Sequence, residues 1–148
     1  MTRRAVIDRN QVREAVNEAE RRTSAEIVVS IAPFFVGNVE RAAHRAFACL
    51  GVARTRLRNG VLVFIVPARH QVVVLSDEGA DASVDSSVWD EVASHIAKAF
   101  GRGDGTAGLV DGVRRIAHAL STPFPHECGD VNELPDPVRD LDRNSSNP

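Results

Sequence analysis

Residues 59–76, NGVLVFIVPARHQVVVLS, contain the two strands that decide the fold. Val61–Val66 is an unbroken apolar run of strand length after an Asn-Gly turn, which is typical of a strand buried on both faces. Gln71–Ser76 is a second run rich in β-branched residues. Because only residues 67–70 separate the two runs, we predict that they form an antiparallel hairpin.

The segments before the hairpin predict a helix, a strand and a second helix. Apolar residues recur at helical spacing over residues 9–22 and again over residues 38–51, where Asn38 can cap the helix. Between them, residues 26–32 (EIVVSIA) predict a buried strand that Pro33 ends. A strand–helix–strand crossover is right-handed and joins parallel strands, so the sheet should be mixed.

The chain after the hairpin predicts a loop, two helices and a tail. Residues 77–85 are acidic and lack periodicity, which favours a loop; a third helix opens at Ser87, and a fourth carries its stripe from Leu109 to Leu120. The order is helix, strand, helix, strand, strand, helix, helix. We therefore expect an α/β fold, a three-layer α/β/α sandwich with a small mixed sheet, over residues 1–121. Residues 122–148 are predicted to be a Pro-rich extended tail, disordered at least after Asp140.

Composition and motifs argue against several classes of function. The net charge of −2 offers no basic excess for nucleic acid, and no apolar run approaches the roughly 18 residues of a membrane span. We therefore expect a cytoplasmic protein. The stretch from Gly103 to Gly108 matches G-x-G-x-x-G but joins two predicted helices, so we expect no nucleotide site. The five histidines are scattered, so we expect no zinc site.

The acidic segment after the hairpin is the best candidate for a functional site. Asp77, Glu78, Asp81 and Asp85 offer hard oxygen ligands within nine residues, which suits Ca²⁺ or Mg²⁺. The alternative interpretation is a solvated loop in which Asp85 or Ser87 caps the following helix. The hairpin topology brings this segment to the edge of the sheet where the first two strands begin. Further candidate residues at that edge are Thr23, Ser24, Glu26 and Asn59, together with Arg58.

Several motifs in order along the chain resemble the TPM domain family. Residues 20–29 (ERRTSAEIVV) are similar to its signature E-x-x-T-S-G-E-I-x-V, and residues 58–62 (RNGVL) to its entry into the second strand. The acidic loop at residues 77–79, the helix start at residues 89–92 and the glycine segment at residues 100–109 also match. Residues 131–136 resemble the tail of a short subgroup. Two departures are Ala25, where the family usually has Gly, and Ser76, where a Gly commonly precedes the acidic loop.

The resemblance implies an α/β/α sandwich and several functions. Members of the family have been linked to photosystem repair, to accessory roles at receptors, to calcium binding and to acid phosphatase activity, and many are membrane-anchored. We expect a binding or assembly module with an unknown protein partner, dependent on a divalent cation in one form of the hypothesis. The alternative is a metal-assisted acid phosphatase acting on phosphomonoesters, in which Arg58 would stabilise charge on the phosphate. The sequence identifies no catalytic residue.

Overall fold

A computed structural model of the chain describes residues 7–33, 35–127 and 138–140. Five helices and four strands lie within these ranges. The helices are α1 (Arg9–Glu20), α2 (Val39–Cys49), α3 (Glu78–Ser83), α4 (Ser86–Gly101) and α5 (Gly105–Ser121). The strands are β1 (Ile27–Ile31), β2 (Val61–Val66), β3 (Gln71–Ser76) and β4 (Val138–Asp140). Short 3₁₀ turns occupy Val52–Arg54 and Pro67–Arg69.

The strands form one mixed sheet in the order β3-β2-β1-β4. β1 and β2 are parallel, with Ile27 opposite Val61 and Ile31 opposite Ile65. β2 and β3 form the predicted antiparallel hairpin, in which Val61 lies opposite Ser76. The crossover through α2 and the hairpin therefore build the sheet as the hydrophobic pattern indicated.

Helices cover both faces of the sheet, which confirms the predicted three-layer sandwich. Successive side chains of a strand point to opposite faces. Ile27, Val29 and Ile31 of β1 therefore lie in the core that α1, α4 and α5 complete. Val28 of β1 lies in the second core, with Phe64 of β2 and the apolar face of α2. β1 and β2 are buried along their whole length, as expected of strands between two helical layers.

Acidic and amide side chains cap four of the helices, among them Asp77 at the start of α3. Asp8 accepts hydrogen bonds from the N–H groups of the first turn of α1, Asn38 does so for α2, and Asp85 for α4. The last helix begins at Gly105, before the first residue of its apolar stripe. It lies so close to α4 that a Cβ at Gly108 would lie 2.2 Å from the Cβ of Ala99.

Two elements differ from the sequence-based expectation. The acidic segment, predicted as a loop, contains the six-residue helix α3, which Asp77 caps and which buries Ala80. The segment predicted as a tail supplies β4, whose Val138 lies opposite Val29 of β1 in parallel register. A six-residue helix is too short to show a helical period in the sequence. A three-residue segment becomes a strand only because it pairs with a neighbouring strand, which the sequence of the segment does not reveal. The predicted disorder after Asp140 and the family resemblance at residues 131–136 fall outside the described residues.

Among the described helices, none combines the length and the apolar character that crossing a bilayer requires.

Candidate functional site

One edge of the sheet gathers the segments that the sequence analysis selected. The N–H of Val61 donates to the carbonyl of Glu26 at 2.8 Å, and the N–H of Asp77 donates to the carbonyl of Gly60, also at 2.8 Å. These two bonds tie the starts of β1 and β2 to the end of β3. Residues 24–26, 55–60 and 76–81, which meet here, are called the rim below.

An ion pair between Arg58 and Asp77 lies at the centre of the rim. Arg58 Nε donates to Asp77 Oδ2 at 2.5 Å and Nη2 donates to Oδ1 at 2.9 Å, so the guanidinium holds the carboxylate with two bonds. The Asp77 side chain is only 6% exposed, whereas that of Arg58 is 45% exposed. The hydrogen bonds from Arg58 lower the pKa of Asp77 below its ordinary value, and the N–H of Glu78 adds to the effect.

The backbone around Arg58 is fixed by the helix that follows Asp77. Arg58 has a left-handed conformation with φ of 51°, and its carbonyl accepts a hydrogen bond of 2.8 Å from the N–H of Gly79. A Cβ built at Gly79 would lie 2.4 Å from the carbonyl oxygen of Leu57 and 2.7 Å from that of Arg58. Glycine is therefore required where α3 crosses the turn that carries Arg58.

Of the four acidic residues predicted to bind a cation, two lie beside Arg58 and the other two have partners elsewhere. Asp77 is engaged by Arg58, and Glu78 is 73% exposed with its Oε1 3.6 Å from Arg58 Nη1. Asp81 accepts a hydrogen bond of 2.7 Å from the Ser76 hydroxyl. Asp85 caps α4, and the N–H of Ser87 lowers its pKa. Within the described ranges, no group of three or more His, Cys, Asp or Glu side chains is arranged to hold a metal ion.

Besides Asp77, three polar residues of the rim are buried: Glu26, Thr55 and Asn59. Asn59 is 1% exposed, and its N–H donates to the hydroxyl of Thr55 at 3.2 Å. Its amide nitrogen Nδ2 has no hydrogen-bond partner among the described atoms. Glu26 is 5% exposed beside it in the sheet edge. Backbone hydrogen bonds therefore place Glu26, Asn59 and the acidic segment at one edge of the sheet, as predicted.

Thr23 and Ser24 are bonded to the chain at the end of α5. The Thr23 hydroxyl lies 2.5 Å from the carbonyl oxygen of Phe124 and 3.3 Å from that of Leu120. The N–H of Ser24 donates to the same Phe124 carbonyl at 3.0 Å. These residues fasten the chain after α5 to the start of β1. The sequence predicts that Thr23 belongs to the candidate site. In the structure its hydroxyl instead holds the chain after α5 against the residues that precede β1.

An exposed leucine beside Arg58 was not identified from the sequence. Leu57 is 38% exposed and precedes the anchored arginine on the rim. The other large hydrophobic residue that is exposed in the described chain, Val36, lies after β1, towards the opposite edge of the sheet. The pattern R-L-R-N-G gives no sign of this exposure, because it depends on how the turn meets α3.

A second polar group joins α4 to α5 and was also missed. His95 Nε2 lies 2.8 Å from Asp111 Oδ2, and Arg115 Nε donates to the same oxygen at 2.9 Å. His95 borders an open depression of about 420 Å³ on α4, whose other lining residues are Asp90, Glu91, Ser94 and Lys98. The sequence showed only a lone histidine, because its partner lies on the next helix.

Comparison with known proteins identifies the family. The model of the TPM domain matches residues 5–119. The BA42 protein from the psychrophilic bacterium Bizionia argentinensis, solved by NMR, is 29% identical; the similarity covers 91% of this chain and 95% of that chain, with a TM-score of 0.81. The N-terminal domain of a protein from P. gingivalis shares the fold at 20% identity, covering 84% of this chain and 83% of that one, with a TM-score of 0.68. A search of curated proteins found no match. With more than half of its length matched, this chain belongs to the TPM domain family.

Proposed function

We propose that this chain is a binding or assembly module that engages a protein partner through the rim. The observation that carries the proposal is the pairing of an exposed apolar side chain, Leu57, with an arginine held in place by a buried carboxylate. Arginine is enriched among the residues that dominate binding energy at protein interfaces. Because Asp77 already fixes the guanidinium, a partner does not have to order a long flexible side chain.

The geometry favours a partner with an acidic side chain next to an apolar one. Asp77 occupies Nε and Nη2 of Arg58, while Nη1 lies 3.6 Å from Glu78, beyond a good hydrogen bond. A partner's carboxylate could therefore bind Nη1 while an apolar side chain covers Leu57. Arginine presents several donors in a fixed plane, so it can hold Asp77 and a second carboxylate together.

In a more specific form of the proposal, binding of the partner depends on a divalent cation. Ca²⁺ or Mg²⁺ would draw on the carboxylates of Asp77, Glu78 and Asp81, with Asp85 at the far end of the segment. Arg58 and a cation would compete for Asp77, so in this form the cation would replace the anchored guanidinium as the group that binds the partner's carboxylate. A thermal shift series with CaCl₂ and MgCl₂ tests this form. A ligand at one hundred times its dissociation constant adds about 2.7 kcal/mol of stability; no shift up to millimolar cation would rule this form out.

The binding role itself is tested by capture from a native lysate with quantitative mass spectrometry. We expect partners retained by the full chain to be depleted for Leu57→Asp and for Arg58→Ala. Arg54→Ala, an exposed arginine of the same connection, is the matched control and should retain them. Circular dichroism confirms that each variant is folded. Equal capture by all four proteins would show that the rim is not the binding surface.

The second candidate function is a metal-assisted acid phosphatase. The half-exposed guanidinium of Arg58 beside exposed carboxylates is an arrangement that could hold a phosphate and a cation together. The assay measures hydrolysis of a generic phosphomonoester by highly purified protein, with and without Ca²⁺ or Mg²⁺. Cation-dependent turnover that is lost in a double Asp77→Ala, Asp81→Ala variant would support this candidate. Turnover that persists in this variant would point away from the acidic segment.

A further inference from the structure

The outer edge of β3 carries backbone groups that no strand of the described chain pairs with. β3 is the terminal strand of the order β3-β2-β1-β4. The N–H of Asp77 bonds the carbonyl of Gly60, and hydrogen-bonded pairs alternate along an antiparallel ladder. Residues 75, 73 and 71 therefore bond β2, and the N–H and C=O groups of Val72, Val74 and Ser76 point outward. This assignment agrees with β2, whose Val61 N–H bonds β1 through Glu26.

This edge lacks the features that usually prevent one sheet from adding to another. Natural edge strands carry charges, prolines or bulges, or are very short. β3 reads QVVVLS, contains no charge or proline, and keeps an unbroken register with β2 over six pairs. Four of its residues are apolar and only partly buried: Val72 and Val74 against the core under α4, and Val73 and Leu75 against the core under α2. Continuing the sheet would cover them further.

We propose that β3 pairs antiparallel with β3 of a second copy of this chain, making a continuous sheet across a two-fold axis at Val74. In this register Val72 of one copy lies opposite Ser76 of the other, so the outward groups of both strands bond each other. A two-fold interface must be self-complementary, and an antiparallel strand pair satisfies that requirement. The proposal shares Ser76 and Glu78 with the rim, but it does not rest on the function proposed there, and its tests measure the association of this chain with itself.

Charge favours a second copy in this orientation. The exposed residues Arg69 and His70 precede β3, whereas the acidic residues Asp77 and Glu78 follow it. Just beyond the ends of the strand pair, the turn that carries Arg69 in one copy lies at the same end as Glu78, the first residue of α3, in the other copy. Opposite charges are therefore brought to the same end of the strand pair, whereas a parallel arrangement would bring the two copies of Arg69 together.

Sedimentation velocity over a range of concentrations of the full chain tests the proposal. We expect a reversible monomer–dimer equilibrium, weakened about tenfold or more by Glu78→Arg or by Arg69→Glu. Mixing these two variants should restore a dimer, because each arginine then meets a glutamate at both ends. Glu14→Arg makes the same charge change on α1, remote from β3, and should leave the equilibrium unchanged. Circular dichroism checks that every variant is folded.

Amide hydrogen exchange gives a second readout that a different dimer would not reproduce. The amides of Val72, Val74 and Ser76 should exchange more slowly as the protein concentration rises. Those of Val73 and Leu75, already bonded to β2, should show no such dependence. A chain that stays monomeric up to millimolar concentration overturns the proposal, and so does a dimer that is insensitive to both charge reversals or leaves the three outward amides unprotected.

Discussion

Replacing Gly79 by alanine tests how closely α3 packs against the turn that carries Arg58. The added Cβ would lie 2.4 Å from the carbonyl oxygen of Leu57 and 2.7 Å from that of Arg58. Cβ atoms essentially never approach closer than 3.0 Å, so α3 and the turn must separate by at least roughly 0.6 Å. Both obstructing atoms are backbone, which cannot rotate away as a flexible side chain would.

Two opposing contributions set the size of the effect. Alanine in place of glycine gains up to about 1 kcal/mol of helix propensity in a helix interior. Forcing an extra methyl group into a close contact costs about 1–3 kcal/mol. The separation also lengthens the 2.8 Å bond from Gly79 N–H to the Arg58 carbonyl. We therefore expect Gly79→Ala to lower the free energy of unfolding by about 1–2 kcal/mol, or the melting temperature by about 3–6 °C for a domain of this size.

The assay is urea unfolding followed by circular dichroism, with Gly101→Ala as the matched control. A Cβ at Gly101, in the last turn of α4, would meet only His70 Nδ1 at 3.9 Å, which is an ordinary contact. The same substitution should therefore be neutral or stabilising there, by up to about 1 kcal/mol. A Gly79→Ala protein as stable as the wild type, or a loss of equal size at both positions, would refute the close contact of α3 with the turn.

Three further outcomes follow from the polar contacts. Because its hydrogen bonds with Arg58 lower the pKa of Asp77, Arg58→Met should be less stable than the wild type above about pH 4, the ordinary aspartate range. The difference should vanish as the pH falls through the folded pKa of Asp77; urea titrations at pH 7 and pH 2.5 that show the same difference would contradict this. Glu20 is half-buried, its Oε1 has no partner in the described chain, and burial raises its pKa. Glu20→Gln should therefore raise the melting temperature at pH 7 and lose this advantage once the wild-type carboxyl is protonated; a destabilised variant at pH 7 would count against it. Thr23→Val removes a buried hydroxyl bonded to the Phe124 carbonyl and should cost about 1–3 kcal/mol by chemical denaturation, whereas a loss below about 0.5 kcal/mol would mean that the contact is not formed in solution.

The elements that the sequence predicted well are those whose pattern is local. β1, β2 and β3 are continuous runs of branched apolar residues between clear turn signals, and all three were placed within a residue of their observed ends. α3 was missed because six residues are too few to show a helical period, and because the burial of Ala80 is a tertiary effect. β4 was missed because its three residues become a strand only by pairing with β1.

The candidate site was predicted in position and not in detail. The hairpin topology correctly brought Glu26, Asn59 and Asp77 to one edge, since sheet register follows from hydrophobic pattern and turn length. Asp85 caps the following helix, as one interpretation of the sequence predicted. The partner of Asp77 was not predictable, because Arg58 and Asp77 are separated along the chain and meet only after the hairpin forms. Thr23 was assigned to the site on sequence proximity, although its hydroxyl bonds the chain after α5.

The position of β4 has a consequence for how the chain folds during synthesis. β1 lies between β2 and β4, yet the ribosome releases β1 long before the residues that form β4. A nascent chain can complete the hairpin and the crossover while the far side of β1 still offers unpaired valine and isoleucine backbone to other chains. Premature termination before Val138 would therefore leave a product that is prone to aggregate, because β1 would lack its last neighbour.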